Sequence, residues 1–496
     1  MWECQFDEMI KQNEEIRNFV DSLKYDMPLA PRDALYGGRT NAIKLYHQAG
    51  LGEIIKYLDI KSLYPWVNKW CKFPLYHPTV ITQNFRPVEE YEGLIKCTVL
   101  PPRKLFLPPL PYRTKGKLTF PLCRTCVEST EKVVGECPHD NVADRALTGT
   151  WCSNEIHLAV RLGYTIVSIS EVWHWDHWAQ YDKEGDEKGL FGGYIDLFFK
   201  LKEQSSGFPD WCRTEEEKKR YIADVFEHEG VLLGIDLMLP NPGYRAIAKL
   251  CLNSFWGKFS QRSNMRKTEY ITDPAEYFKI LTADDTSVSN VQFINDEMVR
   301  MDYTILDEFV EPLAQTNVTI ACFTTAHARV KLYEYLEQLQ TKILYFDTDS
   351  LTFVSKKGEE EYEPKTGNFL GQLGSELECG AVGCKVKEPH PEHHIVEFVS
   401  GGPKNYAYRT DNGFVCMKVK GISLNYRASG QVNFEILKNM ILNKGPQEVL
   451  VTDPNKICRD PTNMQIYSRP QSKKYRVVYT KRQVCEDGIN TLPFGY

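Results

Sequence analysis

No run of eighteen or so apolar residues occurs in the 496-residue chain, so no segment is long and apolar enough to cross a membrane as a helix. The opening residues Met1-Trp2-Glu3-Cys4 show neither the basic region nor the apolar core of a secretory signal. The fifteen cysteines follow no evenly spaced framework, which argues against disulfide staples. A reducing, intracellular compartment is expected, with nucleus and cytoplasm not distinguished. Nor is there an excess of positive charge: the net charge of −6 gives no hint of a polyanionic partner. A local basic track would bind phosphate regardless of that total. Hydrophobic residues at 42% and aromatics at 12% indicate a folded protein. Its length calls for two to four domains or large subdomains.

The most informative stretch is Tyr345-Phe346-Asp347-Thr348-Asp349-Ser350, which places two carboxylates between two β-type runs, 343–346 and 351–354. This reads as a hairpin with acid at its tip. Alternation along a strand would send Asp347 and Asp349 to the same side, where like charges repel unless a cation sits between them. Asp is also an ordinary turn residue, so this segment alone would more often be a plain turn than a site. Two further segments decide in favour of a site. Residues 53–65 read as a strand that delivers Asp59 at its end and then turns at Pro65. Asp59 and Asp349 are 290 positions apart (349 − 59), so only tertiary folding can bring them together.

The third segment, 241–257, has helical signals: Asn241 as N-cap, Pro242 at the first position and Gly257 past the end. Helical spacing aligns Arg245, Lys249, Asn253 and Trp256 in one stripe, with Ile247, Leu250, Cys251 and Ser254 facing away. Two cations spaced i,i+4 disfavour an isolated helix mildly, so the stripe makes better sense facing an anion such as a triphosphate.

Together, Asp59-Ile60-Lys61-Ser62-Leu63-Tyr64-Pro65, Lys249-x-x-x-Asn253-Ser254-Phe255-Trp256-Gly257 and Tyr345-Phe346-Asp347-Thr348-Asp349-Ser350 resemble motifs A, B and C of the family B DNA polymerases, in the family's order. Tyr36-Gly37-Gly38, followed by Arg39, resembles the family's YxGG template-contacting motif. Lys404-Asn405-Tyr406 resembles its primer-holding KxY motif, and Lys420-Gly421 lies in a similarly placed basic turn. The likeness is to the protein-primed branch found in viruses, organelles, linear plasmids and Maverick/Polinton-like transposons. Two features depart from the pattern. Trp256 stands where the family usually has Tyr. Only 58 residues precede Asp59, too few for a separate nuclease domain, so the chain is expected to be part of a longer product or to lack proofreading.

The resemblance implies an α+β right-hand fold with palm, fingers and thumb plus large insertions of the protein-primed type. It also implies a DNA-directed DNA polymerase. Phosphoryl transfer of this kind uses two divalent cations about 3.5–4 Å apart, and oxygen donors select Mg²⁺. Asp59, Asp349 and Asp347 would be the catalytic ligands, with the Ile60 carbonyl as a further donor. Lys249 and Arg245 would hold the triphosphate, Asn253 and Trp256 would order the nucleotide, and Tyr64 would pack beneath the sugar. Tyr36, Gly37, Gly38, Lys404, Tyr406 and Lys420 would contact DNA. The partners implied are primer-template DNA, dNTPs and a terminal priming protein, without a membrane. Two alternatives stay open at this stage: a non-catalytic DNA-binding remnant and an RNA-templated polymerase.

Between motifs A and B lie 183 residues (249 − 65 − 1), which calls for an inserted subdomain. Within it, Cys123-x-x-Cys126 and Cys137-x-His139, with Cys152 beyond them, suggest a structural zinc site. Scattered reduced thiols are the competing reading. The run 173–178 reads as an aromatic strand edge, residues 214–228 as a fingers helix and 324–340 as a helix leading into motif C. Lys473, Lys474, Arg476, Lys481 and Arg482, interleaved with Tyr475 and Tyr479, suit a duplex-gripping thumb. The expected organisation is a lead-in over 1–30, palm over 31–85 and 316–429, an inserted subdomain over 86–212, fingers over 213–259, a second insertion over 260–315 and thumb over 430–496.

Overall fold

The computed structural model describes residues 3–22, 27–129, 135–185, 187–311, 313–356, 358, 362–377, 393–460 and 463–496. Its centre is an antiparallel sheet built from strands far apart in sequence. In spatial order these are Thr40–Ala42, Ile343–Asp347, Ser350–Lys356, Glu53–Ile60, Ile395–Gly402, Asn405–Thr410 and Val415–Lys418. Leu373–Ser375 adds to the end of Glu53–Ile60, and Tyr46–Gln48 pairs with Ile395–Gly402. Period-two alternation divides the side chains between two cores. On one face Leu58, Ile60, Phe346, Leu351 and Phe353 pack against the helices Leu63–Trp70 and Val318–Leu339. On the other, Ile55, Tyr345, Phe398, Tyr406 and Tyr408 meet the helix Phe434–Ile441. A register shift between Ile343 and Tyr345 puts Leu344 and Tyr345 on the same side, then restores the alternation before Asp347.

The helix Val318–Leu339 begins six residues before the expected start. Asn317 caps it by accepting from the Ile320 N–H, a signal lying upstream of the segment read as helix. Its buried Arg329 donates to both oxygens of Glu155 (2.8 and 2.9 Å) and to the carbonyls of Tyr36 and Gly37 (2.8 and 2.9 Å). Pro65 does not end the chain's course after motif A. It lies in the first turn of Leu63–Trp70, where a missing N–H leaves no helical bond unmade.

The segment between motifs A and B contains a four-stranded sheet ordered Thr79–Ile81, Thr165–His174, Gly93–Leu100 and Leu147–Cys152. The aromatic run therefore ends an interior strand, flanked on both sides at residues 172–174, rather than forming an edge. Trp175 just beyond it is core. Cys152 is buried in this sheet and belongs to the central core, apart from the other cysteines singled out. Three helices follow: Gly192–Gln204, Glu215–Glu229 and Pro242–Ser254. The second has a full capping box between Thr214 and Glu217 and closes on Gly230 in the left-handed region. Residues 267–305 form a three-stranded sheet with the helix Pro274–Leu281. A long hairpin pairs Val449–Asp460 with Gln465–Tyr475.

Removing one partner of a buried pair leaves the other charge unpaired, at about 3–5 kcal/mol. Glu155→Gln is therefore expected to lower the urea unfolding midpoint strongly. Glu337→Gln breaks the exposed pair with Arg161 (2.7 Å) and is expected to cost less than about 1 kcal/mol. Equal midpoints for the two variants would contradict the role given to Arg329.

Candidate active site

The sheet register assembles the carboxylates. Asp347 pairs with Ser350, Ser350 with Asp59, and Asp59 with Gly374, so these four residues form one row across four strands. Directly paired residues of antiparallel strands face the same way. Asp347 and Asp59 therefore share a face, with Asp349 at the hairpin tip beside them. The tip is tight: Thr348 adopts a positive φ of 62°, and the Asp349 carbonyl accepts from the Ile60 N–H at 2.7 Å. Asp347 is oriented by the Tyr345 hydroxyl (3.1 Å) and the Thr348 hydroxyl (3.1 Å). Ile60 places its side chain in the core, leaving only its backbone at the site.

Electrostatics agree with this crowding. Burial first, then the charges of Asp349 and Glu376, raise the Asp59 carboxyl well above the ordinary carboxylate range, with Lys249 opposing. Burial and then Asp347 raise Asp349, with Lys404 among the opposing influences. Glu376 is a fourth acid that sequence reasoning missed. It follows the three-residue strand Leu373–Ser375, and its N–H donates to the Tyr57 carbonyl at 3.2 Å. No motif marks it among the neighbouring acids 359–363; only pairing with the Asp59 strand brings it in. This oxygen-rich, mutually repelling donor set fits hard divalent cations such as Mg²⁺.

The helix Pro242–Ser254 stands over this row. Asn241 caps it by accepting from the Tyr244 N–H (3.1 Å), as the sequence predicts. The expected division of faces holds only in part. Lys249 and Asn253 are exposed, but so are Ile247 and Leu250; the inward positions are Ala248 and Leu252. Small Ala248 lets the helix lie close against Gly192–Gln204. Arg245 is half-buried at that contact, its Nε donating to Ser206 Oγ at 3.0 Å. Gly257 does not terminate the helix, which tightens into a 3₁₀ turn over Phe255–Ser260. That turn swings Trp256 onto Tyr64, their rings stacked at 4.7 Å and 24°.

The glycine motif is placed differently from expectation. Tyr36 and Arg39 are buried, Arg39 lying over the rings of Phe120, Tyr333 and Phe346, so neither side chain can reach a nucleic-acid strand. Gly37 is exposed, and Gly38 abuts the hairpin tip: a Cβ there would meet Thr348 Oγ1 at 2.6 Å. The Thr348 N–H donates to the Arg39 carbonyl at 2.8 Å. The motif thus supports the acidic hairpin from beneath. Lys404 is exposed with φ 58°, its N–H bonded to Tyr345 Oη at 2.9 Å. Tyr406 is buried among Tyr345, Phe398 and Tyr57, with its hydroxyl 3.3 Å from that of Tyr57, so its contribution is to packing around Tyr345.

Beside the carboxylates opens a cleft of about 700 Å³ lined by seven cations, Lys117, Lys404, Lys420, Lys473, Lys474, Arg476 and Lys481. Lys481 bonds Thr40 Oγ1 at 2.9 Å, and burial lowers its ammonium pKa to about 8. Lys117, from the hairpin 112–119, was missed because nothing local distinguishes it from other surface lysines. Tyr475 and Tyr479 line the cleft with their hydroxyls turned inward, Tyr475 donating to Asn405 and Tyr479 to the Ala42 carbonyl, while Arg482 is internal and donates to the Phe106 and Thr491 backbones. Apart from the cleft, Cys123, Cys126, Cys137 and His139 converge, each offering a ligand atom within 4.8 Å of the others.

Comparison with known proteins follows the same lines. Residues 5–213 and 239–341 match the family DNA polymerase type B, organellar and viral. No curated protein matches the sequence. Among solved structures, phi29 DNA polymerase complexed with primer-template DNA and incoming nucleotide substrates is similar at 14% identity and a TM-score of 0.52. The alignment covers 95% of this chain and 67% of that one. The orthorhombic form of phi29 DNA polymerase gives 14% and 0.53, covering 90% and 62%. Its post-translocation binary complex with primer-template DNA gives 15% and 0.52, again covering 90% and 62%. The chain thus spans 62% to 67% of the length of these structures, which share its right-hand fold. With the family matched over more than half of its residues, and the motif carboxylates gathered on one sheet face, the chain belongs to the type B DNA polymerases of the organellar and viral kind.

Proposed function

We propose that the chain is a template-directed DNA polymerase that adds dNTPs to a 3′-hydroxyl, in the service of protein-primed replication of a virus-like or mobile element. The observation that carries this reading is the row of Asp347, Ser350 and Asp59, with Asp349 at its edge. Asp59, Asp349 and Asp347, with the Ile60 carbonyl, would hold two Mg²⁺ ions. When bound, these acidify the primer hydroxyl and neutralise the triphosphate. The chain's own groups do the rest. Lys249, exposed above Asp59, meets the phosphates, with Arg245 steadying that end of the helix. Asn253 faces the incoming nucleotide. Tyr64, stiffened by its stack on Trp256, forms the floor beneath the sugar, where a 2′-hydroxyl would collide.

Lys404 and Lys420 hold the primer strand from the basic cleft, while Tyr406 fixes Tyr345 and, through it, Asp347. The exposed backbone at Gly37 is the part of the glycine motif placed to meet template. In this reading the palm comprises 31–85 and 316–429, the fingers 213–259 and the thumb 430–496, with insertions over 86–212 and 260–315 and a lead-in over 1–30. A terminal protein would offer its priming hydroxyl at the same carboxylates.

The wild-type chain is expected to extend a primed DNA template with Mg²⁺, and to fail on an equivalent RNA template. Asp349→Asn should lose about 10²–10³-fold or more in rate while keeping its affinity for DNA. Full activity in that variant would refute the site assignment. A second expectation concerns pH. Asp59, raised to about 8, retains its proton near neutrality, whereas Asp349, raised to about 6, is mostly ionised there; only the charged form binds a cation, so Mg²⁺ binding must release a proton. Titration calorimetry in buffers of different ionisation enthalpy should show release at neutral pH. The release should fall, and apparent Mg²⁺ affinity rise, as pH increases past the raised range. Binding heat that does not depend on the buffer, and so no proton release at pH 7, would mean ordinary carboxylates and a different arrangement.

A further inference from the structure

Cys123, Cys126 and Cys137 are buried, unpaired by disulfide, and gathered around His139. Their sulfurs lie 3.5, 3.4 and 3.6 Å from His139 Nδ1, and Cys126 Sγ is 3.5 Å from Cys137 Sγ. Tetrahedral coordination with Zn–S near 2.3 Å and Zn–N near 2.0–2.1 Å requires ligand separations of about 3.5–3.8 Å. Four of the six separations therefore stand at tetrahedral spacing, and all four ligand atoms lie within 4.8 Å of one another. Three thiols this close, in a shell closed by the Phe494 ring, would be poorly packed partners for one another without a shared cation. Four protein ligands leave no open position, which marks a structural rather than a catalytic site.

The cluster is also the anchor of a distant segment. The Leu122 N–H donates to the Phe494 carbonyl at 2.7 Å, and the Cys137 N–H to the Tyr496 carbonyl at 3.3 Å. Gly495, with φ 85°, lies against Cys123 so closely that a Cβ would come within 2.3 Å of the cysteine Cβ. Further along, Gln483 donates to the Gly135 carbonyl at 3.2 Å, in the loop joining the two ligand pairs, and Lys117 donates to Thr480 Oγ1 at 2.6 Å. The stretch from 476 to 496 thus begins as a wall of the basic cleft, with Arg476 and Lys481, and finishes on the metal-ligand loops.

We propose that Cys123, Cys126, Cys137 and His139 bind one Zn²⁺ ion that clasps residues 493–496 and so fixes the inserted region, with its Lys117, against the segment that forms the wall of the DNA cleft. The metal site stands on its own geometry; only the effect on duplex binding rests on the polymerase reading. The ion shapes the two loops that receive Phe494, Gly495 and Tyr496. Without it the thiols separate and residues 493–496 come off the ligand loops; residues 479–491 keep their own bonds to the central sheet, but the inserted region loses its hold on them and Lys117 its fixed position in the cleft, although the carboxylate row is untouched.

The test uses the full chain purified with zinc present. Elemental analysis should give one zinc per chain, and Cys126→Ser should abolish it. Hydrogen exchange should then speed up at Leu122, Cys137 and 493–496. Binding of a primed duplex, followed by fluorescence anisotropy over a salt series, should weaken, with a slope of log affinity against log salt shallower by about one as Lys117 is lost from the cleft. Gly495→Val leaves all four ligand side chains in place but sets a side chain against the Cβ and backbone of Cys123, away from its sulfur; it should keep zinc yet show the same loss of duplex binding. This variant covers the case in which Cys126→Ser fails to fold. Absence of zinc from the wild type would overturn the metal site. Zinc bound in the wild type, with exchange and duplex affinity unchanged in both variants, would overturn the clasp. Failure of primer extension by a zinc-loaded chain would bear on the polymerase reading alone.

Discussion

Everything in this molecule depends on holding several carboxylates together against their own repulsion. Asp59, Asp347, Asp349 and Glu376 reach one corner of one sheet from four strand ends, and burial deepens the conflict rather than relieving it. A sheet is suited to the task because register, once set by the apolar faces, leaves side chains no choice of direction. Slipping the hairpin by one residue would turn Phe346 and Leu351 outward and Asp347 inward. The two cores on either side of the sheet are therefore what keeps the acids in a row.

The support beneath the hairpin is made by buried cations. Arg329 ties the Tyr36–Gly37 carbonyls to Glu155, and Arg39 fills an aromatic pocket while its carbonyl receives the Thr348 N–H. Buried guanidinium groups are costly unless compensated, so the chain brings acceptors to Arg329 and three ring faces to Arg39, whose Nε and Nη2 find no acceptor among the described residues. In doing so it carries the glycine loop under Thr348, where Gly38 leaves just enough room. A motif that reads in sequence as a surface contact with nucleic acid turns out to be largely scaffold, with one exposed glycine at its edge.

Charge is divided between two neighbouring surfaces. The acidic row and the cleft of seven cations lie side by side, which a net charge of −6 conceals. Lys404 serves both: its side chain opposes the raised carboxyl of Asp349, and its backbone N–H steadies Tyr345. The cleft wall is assembled from separate parts of the chain, Lys117 from the inserted region and Lys473 to Lys481 from the far end of the sequence. Its integrity therefore depends on contacts between those parts.

The sequence by itself determined the local elements and the chemistry of the motifs. The hairpin with its two aspartates, the strand ending in Asp59, the capped helix bearing Lys249 and the four zinc-type ligands follow from alternation, capping and spacing, which act over a few residues. Tertiary structure decided the rest. Glu376 joins the site through a three-residue strand too short to carry a pattern. Lys117 joins the cleft across 363 positions to Thr480. Tyr36, Arg39, Tyr406 and Arg482 proved internal, and the exposed Ile247 and Leu250 proved a poor guide to the buried face of their helix. In each case burial is set by what the rest of the chain lays over a residue. Tyrosine and arginine, which can bury a large body and satisfy a polar end, give no local sign of which role they will take.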